Sequence, residues 1–475
     1  MSEAVEYDVV VLGGGPAGEN IVDRTRAAGL STALVESELV GGECSYWACV
    51  PSKALLRPAL ARADARRVPG LAGAVGGPLD AAAVFAHRDY WTGSWKDDGQ
   101  IDWLDSIGAH VYRGHGRLYG VRKVAVTSPE GEHHVLSARQ AVVVATGTRA
   151  VVPGLPGIAE ARPWTSREAT SAQAAPGRLL IVGGSVVAAE MATAWQALGS
   201  EVTVLVRGSR LLPRMEPFAG ELVAEALREA GAVVRTGVEV EAVVRDGSTG
   251  PVTVVLAGGE SLEGDELLMA TGRSPRTEDI GLETVGLTPG DWIAVDDTCR
   301  VPGHDWLYAV GDVNHRALLT HQGKYQARIA GAAIAARAAG AGLDTGRWGA
   351  HAATADALAL PQAVFTDPEA AAVGLTLAEA ERAGHRVRAV DHDLGKVSGA
   401  GLYADGYRGR ARMVVDLDRE VLLGATFVGP GAAELLHAAT IAVAGEVPIE
   451  RLWHAVPAFP TISEVWLRLL EAYRG

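Results

Sequence analysis

The sequence predicts an α/β fold, and three observations predict it. The first is the segment "YDVVVLGGGPAGENIVDRTRAAGLSTALVES", where an apolar strand runs into Gly13-Gly14-Gly15-Pro16-Ala17-Gly18, a helix follows, and a second strand ends in Glu36. The second is "GRLLIVGGSVVAAEMATAWQALGSEVTVLVRGSR", which repeats the same strand–turn–helix–strand plan from Gly177 to Arg210. The third is a change of pattern from about Pro361, where short strands such as "PQAVFTDPEAAAVGL" and "ARMVVDLDREVLLGATFVG" precede the helical "AAELLHAATIAVAG" and "SEVWLRLLEAY". Together they read as two Rossmann-like dinucleotide-binding domains followed by a C-terminal α+β domain.

Each element follows from its residues. In the first unit, Gly13, Gly15 and Gly18 allow a pyrophosphate to approach a helix N-terminus closely. Glu36 stands about 20 residues on, where an acid meets ribose hydroxyls. In the second unit Gly183, Ser185 and Ala188 hold the corresponding positions. Ser185 therefore puts a side chain where backbone should approach phosphate. "AVVVATGTRAVVPGLPG" and "ELLMATGRSPRT" are each an apolar strand ending in Ala-Thr-Gly, then a Pro-containing connection that leaves the sheet. They predict crossings near residues 155 and 275. The expected domains are 1–155 completed by 275–350, then 156–274, then 351–475. "ARAAGAGLDTGRWGAHAATADA" is the expected linker, and the two nucleotide units are the only internal echo.

Composition excludes several classes. The 475 residues are enough for about three domains, and a net charge of −14 argues against a nucleic-acid or anionic-membrane partner. The N-terminal "MSEAVEYDVVVLGGG" carries acids where a signal peptide needs bases. No apolar run reaches the roughly 18–20 residues that span a bilayer, so the cytoplasm is the expected compartment. Three cysteines make no disulfide framework. Cys299, alone in "DDTCR", is expected to be an inert thiol.

Cys44 and Cys49 lie together in "GGECSYWACVPSK". In a regular helix their Cα atoms would be roughly 8–9 Å apart, beyond the ~6.8 Å that a disulfide tolerates. A closed pair thus needs a distorted turn and would be strained and reducible. A zinc site lacks two further ligands at a plausible spacing, so no metal is expected. Two unlinked thiols is the remaining reading. "SKALLRPALARADA" has helical character, and a thiolate near its start would be stabilised by the helix dipole.

G-G-x-C-x4-C-x-P-S-K after an N-terminal dinucleotide unit resembles the pyridine nucleotide–disulfide oxidoreductases, the family of dihydrolipoamide dehydrogenase, glutathione reductase and mercuric reductase. The similarity runs nearly end to end, through "GGGPAGEN", "ATGT", "ATGRSP", "LYAVGD", "VFTDPEAAAVGLT" and "FPTISE". It implies a homodimeric FAD enzyme that takes hydride from a nicotinamide cofactor, with the C-terminal domain as the dimerisation domain. Gly13, Gly15, Gly18 and Glu36 would hold the FAD pyrophosphate and adenosine ribose, and Asp312 the ribityl side. Gly42, Thr146, Gly147 and Thr320 would complete that site, with the helix near "LLTHQG" aimed at the flavin. Cys44–Cys49 would be a redox-active disulfide, Cys49 against the flavin and Cys44 the outer thiol that attacks substrate. Lys53 would lie near the flavin's reactive nitrogen, paired with Glu190. Gly183, Ser185, Ala188, Glu190 and Gly272 would meet the nicotinamide cofactor.

The strand ending "VTVLVRGSR" offers Val206 and Arg207 where an NAD site usually has an acid. Arginine suits a 2′-phosphate, and Arg210 or Arg214 adds a second contact. NADPH is the expected donor over NADH, and Ala188 resembles the NADP-using glutathione reductases. Val186 stands where glutathione reductase has a gating tyrosine, so a more open nicotinamide pocket is expected.

The chain also departs from the family. Disulfide reductases carry His-Pro-Thr-x-Ser-Glu, whose histidine, oriented by the glutamate, is the acid–base of thiol–disulfide exchange. The matching run here is Phe459-Pro460-Thr461-Ile462-Ser463-Glu464. Losing a positioned acid–base typically costs roughly 10²–10⁴ in rate. His454, nearby in sequence, is expected to pack beside Trp453. Tyr46 and Trp47, with Phe459, read either as an aromatic pocket suited to planar acceptors or as side chains that pack into the core. The chain starts at its flavin strand and ends "EAYRG" without a C-terminal cysteine pair, so neither mercuric reductase nor high-molecular-weight thioredoxin reductase activity is expected. The expected function is reduction of a small disulfide or similar acceptor through the dithiol. The alternatives are a quinone or diaphorase-type reductase acting at the flavin, and a slow redox-sensing flavoprotein.

Overall fold

The structure is a computed structural model that describes residues 4–475. The chain forms two compact units. The first holds the residues up to Val50 with Asp89–Arg149 and Arg273–Ala357, and the second holds Pro51–Arg88, Ala150–Gly272 and Leu358–Gly475.

The first unit is built on a seven-stranded sheet. Its order is His110–Arg113, Thr32–Glu36, Val5–Leu12, His133–Val144, Lys123–Thr127, His115–Leu118, with Leu307–Ala309 also paired to His133–Val144. Strand Val5–Leu12 runs parallel to both neighbours, and its residues alternate between two buried faces. Val10, Leu12, Val35, Val142 and Val144 pack with Leu307 on one face. Val9, Val11, Leu34 and Val143 pack on the other against Ile21 and Val22 of helix Pro16–Ala27 and Ala327, Ala330 and Ile334 of helix Thr320–Ala338. These two helices approach closely because Gly323 and Gly331 face Ala17 and Arg24. A Cβ on Gly323 would sit 3.4 Å from the Ala17 Cβ, and one on Gly331 2.7 Å from the Arg24 Cβ.

The second unit carries a four-stranded parallel sheet in the order Val233–Thr236, Glu201–Val206, Arg178–Val182, Glu266–Met269. Helix Val186–Ala197 is mostly apolar and largely buried. Its Met191 and Trp195 share a core with Leu55, Leu56, Phe85, Val223 and Val428. A three-stranded antiparallel sheet, Val240–Arg245, Val252–Leu256 and Ser261–Gly264, follows in sequence. The C-terminal portion is a five-stranded antiparallel sheet with helices Leu436–Ala444 and Val465–Arg474, as the change of pattern from about Pro361 predicts. Among the described residues no helix is long and apolar enough to cross a membrane.

Candidate active site

Cys44 lies in the short helix Gly42–Tyr46 and Cys49 begins helix Cys49–Arg66. The two therefore never share one regular helix, and the break between the helices is the kind of distorted turn that a closed pair would need. Gly41 (φ 111°) and Gly42 (φ 57°) take left-handed conformations that only glycine adopts cheaply. The Gly41 N–H donates to the Gly14 carbonyl at 2.7 Å. A Cβ on Gly42 would lie 2.8 Å from the Gly15 Cα. The cysteine segment is thus fastened directly onto the first glycine turn.

Both cysteines are half-buried thiols. The Cys44 thiol is hydrogen-bonded to Cys49, and that bond together with burial pushes its pKa well up. The Cys49 Sγ stands 3.3 Å from the Thr320 Oγ1. Thr320 opens helix Thr320–Ala338, so Cys49 sits at the start of one helix and against the start of another. Both ends favour a thiolate over a thiol.

The first glycine turn has the shape of a dinucleotide cradle. A Cβ on Gly13 would lie 2.4 Å from the Ala145 carbonyl oxygen, and one on Gly18 only 1.9 Å from that of Gly13. Glycine is required at both for the turn itself. Gly15 differs, because a Cβ there would meet no protein atom within 4 Å. The Glu36 carboxylate accepts the Gly14 N–H at 2.6 Å and the Glu38 N–H at 2.7 Å, and burial raises its pKa. Asp312 accepts a hydrogen bond from Thr148 Oγ1 at 2.8 Å, and Arg273 Nε donates to that hydroxyl at 2.9 Å. Burial raises the Asp312 pKa as well. The Thr146 hydroxyl, beside Gly147 (φ 68°), is buried without a hydrogen-bond partner. The open space before Gly15 and this orphaned hydroxyl fit FAD.

Two residues that no motif singled out hold this cradle in place. Gln326, fully buried, accepts the Gly311 N–H and an Asn314 amide N–H, each at 2.8 Å, and donates to Asp356 at 2.9 Å. Asp356 also takes Gln322 at 2.9 Å and Arg316 at 3.0 Å. The network ties the Asp312 segment to the helix that carries Thr320. Asp356 lies within the stretch expected to be a linker, and nothing local in its sequence marks it as buried.

In the second unit the Lys53 Nζ meets the Glu190 carboxylate at 2.6 Å. The other Glu190 oxygen accepts the Phe365 N–H at 3.0 Å, and the Lys53 ammonium lies 5.1 Å from the Phe365 ring centre. Lys53 is four residues beyond Cys49 on the same helix, one turn along. In the second glycine turn, Gly183 (φ 135°) would clash with the Ala270 carbonyl if it bore a Cβ, while one on Gly272 would meet nothing. The Ser185 hydroxyl turns inward. It caps helix Val186–Ala197 at Ala188 and donates to the Ala270 carbonyl at 3.1 Å, leaving its backbone at the helix N-terminus. Ala188 is fully buried. Arg207 is exposed, and the buried Nε of Arg210 has no hydrogen-bond partner.

Of the aromatic residues, Tyr46 lies in the core. The Tyr46 ring is 2 % exposed, and its hydroxyl donates to the Val40 carbonyl at 3.0 Å. It is a core residue that buttresses Gly41, while Trp47 stacks edge-on against it, half-buried. Phe459 is 74 % exposed. Glu464 is buried and accepts the Gly399 N–H at 3.3 Å. His454 is exposed rather than packed, and the face of Trp453 is covered instead by the Arg474 guanidinium at 3.9 Å.

Comparison with known proteins fits this arrangement. Residues 7–339 match the pyridine nucleotide-disulphide oxidoreductase model, and residues 360–469 match that family's dimerisation domain. A dihydrolipoyl dehydrogenase from Chlorobaculum tepidum is 32% identical, over 97% of this chain and 96% of its own. A mercuric reductase from Staphylococcus aureus is 30% identical, over 97% of this chain and 81% of its own. Among solved structures, the HOCl-induced flavoprotein disulfide reductase RclA from Escherichia coli, as its Cu(II) complex, superposes with a TM-score of 0.83 at 23% identity over 98% of this chain and 99% of its own. LpdA from Mycobacterium tuberculosis gives 0.82 at 25% identity with the same coverage. The chain therefore belongs to the pyridine nucleotide-disulphide oxidoreductases, FAD-containing, NAD(P)H-dependent enzymes that pair through a C-terminal dimerisation domain.

Proposed function

We propose that the protein takes hydride from NADPH and delivers its two electrons, through the Cys44–Cys49 pair, to a small disulfide or a similar acceptor. The observation that carries this reading is the thiol pair itself, hydrogen-bonded and seated against Thr320 at a helix N-terminus. In this reading residues 1–155 with 275–350 take FAD, 156–274 the nicotinamide cofactor, and 351–475 the dimer contact.

Gly13, Gly15, Gly18, Glu36, Gly42, Thr146, Gly147, Asp312 and Thr320 would hold FAD. When bound, it supplies the two-electron relay between nicotinamide and disulfide. Gly183, Ser185, Ala188 and Gly272 would take the nicotinamide cofactor, with Arg207 and Arg210 on a 2′-phosphate. Arg207, exposed just beyond strand Glu201–Val206 where an NAD site usually has an acid, supports NADPH over NADH. Glu190, held by Phe365, keeps the Lys53 ammonium oriented. Cys49 is the inner sulfur and Cys44 the outer one. The net exchange is NADPH, a proton and the disulfide giving NADP⁺ and two thiols, which then reduce the acceptor and close again. The burial of Tyr46 removes one wall of the aromatic pocket on which a quinone acceptor was argued. That favours the dithiol route.

Anaerobic titration with NADPH tests the reading. Two electrons per protomer should convert Cys44 and Cys49 to alkylatable thiols and produce a long-wavelength absorption band. Bleaching of the flavin with both cysteines still inaccessible to alkylation would overturn it and direct attention to quinones.

A further inference from the structure

Cys44 has to serve in turn as a thiol, as half of the Cys44–Cys49 disulfide, and as the partner of an acceptor sulfur. Its sulfur can return to Cys49 each time only if the backbone that carries it keeps its place. That backbone is weak by itself. Helix Gly42–Tyr46 is little more than one turn, and two left-handed glycines lead into it. Among the described residues no side chain caps its N-terminus. An isolated helix of this length is unstable in water, so contacts from outside must hold it.

The residue before Cys44 supplies such a contact. Glu43 is half-buried, and its two carboxylate oxygens face two arginines of one short segment. Arg276 Nη2 donates to Oε1 at 3.0 Å, and Arg273 Nη2 lies 3.8 Å from Oε2. Both arginines are themselves fixed. The Arg276 N–H donates to the Gly147 carbonyl at 3.0 Å. Arg273 donates through Nη2 to the Thr148 carbonyl at 3.0 Å and through Nε to the Thr148 hydroxyl at 2.9 Å. That hydroxyl donates in turn to Asp312 at 2.8 Å. A carboxylate in the first turn also suits the helix dipole, and its bond to Arg276 is charge-assisted. One side chain thus braces the cysteine helix on the turn that carries Gly147 and Thr148.

We propose that Glu43, gripped by Arg276 and Arg273, is the positioning residue for the outer thiol, and that it sets how readily the Cys44–Cys49 pair closes. The inference rests on the dithiol reading above. In the disulfide the S–S bond itself fixes the segment. In the dithiol the segment depends on noncovalent anchors, and the Glu43 ion pairs are the ones made by a side chain next to Cys44. Without them the helix frays in the dithiol state, and closing must then remove the conformational entropy that the freed backbone gains. Closing becomes less favourable, and the pair becomes a weaker reductant.

The test equilibrates holoenzyme anaerobically in mixtures of reduced and oxidised dithiothreitol and reads, by peptide mass spectrometry, how much of Cys44 and Cys49 takes up iodoacetamide. Closing forms one S–S bond in the protein and opens the one in oxidised dithiothreitol, which gains the two electrons and two protons that the protein thiols lose. Glu43→Gln should lower the reduced-to-oxidised ratio at half-reduction roughly tenfold or more, a rise of about 30 mV in potential. Arg276→Gln should shift it the same way by less, because Arg273 remains. The double variant should shift no further than Glu43→Gln, since both changes remove the same contact. Glu43→Asp keeps the charge and should stay closer to wild type than Glu43→Gln. Bound FAD and melting temperature are read alongside, and a role confined to folding would move those and leave the ratio alone. An unshifted ratio in Glu43→Gln or in Arg276→Gln, or shifts that multiply in the double variant, overturns the proposal. Dithiothreitol bypasses NADPH. A wild type that forms no Cys44–Cys49 disulfide at any ratio sinks the dithiol reading and this inference with it, whereas a wild type that closes beside unshifted variants sinks this inference alone.

Discussion

Gly15→Ala separates the fold of the first glycine turn from its use. The backbone at Gly15 (φ −70°, ψ 179°) suits alanine, and the added Cβ would touch no protein atom within 4 Å. The cost to the apoprotein is confined to the helix cap, about 0.5 kcal/mol. A pyrophosphate at the helix N-terminus would compete with the methyl group. Overpacking of that kind costs about 1–3 kcal/mol, which weakens FAD binding roughly 5- to 150-fold. Gly18→Ala is the contrast, since its Cβ would lie 1.9 Å from the Gly13 carbonyl oxygen and the apoprotein itself must distort. The assay is FAD titration of apoprotein by fluorescence quenching, beside thermal unfolding without FAD. Gly15→Ala should lose affinity and keep its melting temperature, whereas Gly18→Ala should lose both. FAD affinity within twofold of wild type in Gly15→Ala would refute the placement of the pyrophosphate on this turn.

Two further expectations concern cofactor choice and acid stability. Replacing Arg207 and Arg210 by alanine should raise KM for NADPH roughly 10- to 100-fold, the loss of one charge-assisted hydrogen bond of about 1.5–3 kcal/mol, with little change for NADH. An unaltered ratio of the two KM values would show that neither arginine reads a 2′-phosphate. Asp8 accepts hydrogen bonds from Arg139 at 2.9 Å and from the Ser31 N–H at 2.8 Å. The Arg139 bond leads in lowering its pKa from 3.8 to about 2. A depressed carboxyl stabilises the fold above its unfolded value and loses that stabilisation as pH falls from about 4 to about 2. Linkage gives about 2 kcal/mol, and solvent around the half-exposed Arg139 reduces it to about 1. Asp8→Asn should therefore melt lower than wild type at pH 7 and match it at pH 2; equal melting at pH 7 would remove Asp8 from the account.

The parts of the molecule legible in the sequence are those with local causes. Apolar strands such as Val9–Leu12 show themselves through burial on both faces, and the first glycine turn through positions like Gly13 and Gly18 where a Cβ meets backbone. Helix dimensions required a break between Cys44 and Cys49 only for a closed pair, and the structure has that break. Ser185 was legible as a departure, but not the direction of its hydroxyl, because its partner Ala270 comes from a distant strand. Tyr46 looked equally suited to a pocket wall or a core, and only the Val40 carbonyl and Gly41 beside it decided for the core. Asp356 and Gln326 carried no signal, since a buried polar residue is recognisable only once its partners surround it. Helices Pro16–Ala27 and Thr320–Ala338, far apart in sequence, meet through Gly323 and Gly331, and only tertiary packing sets that meeting, while chain order records the local preferences of each helix.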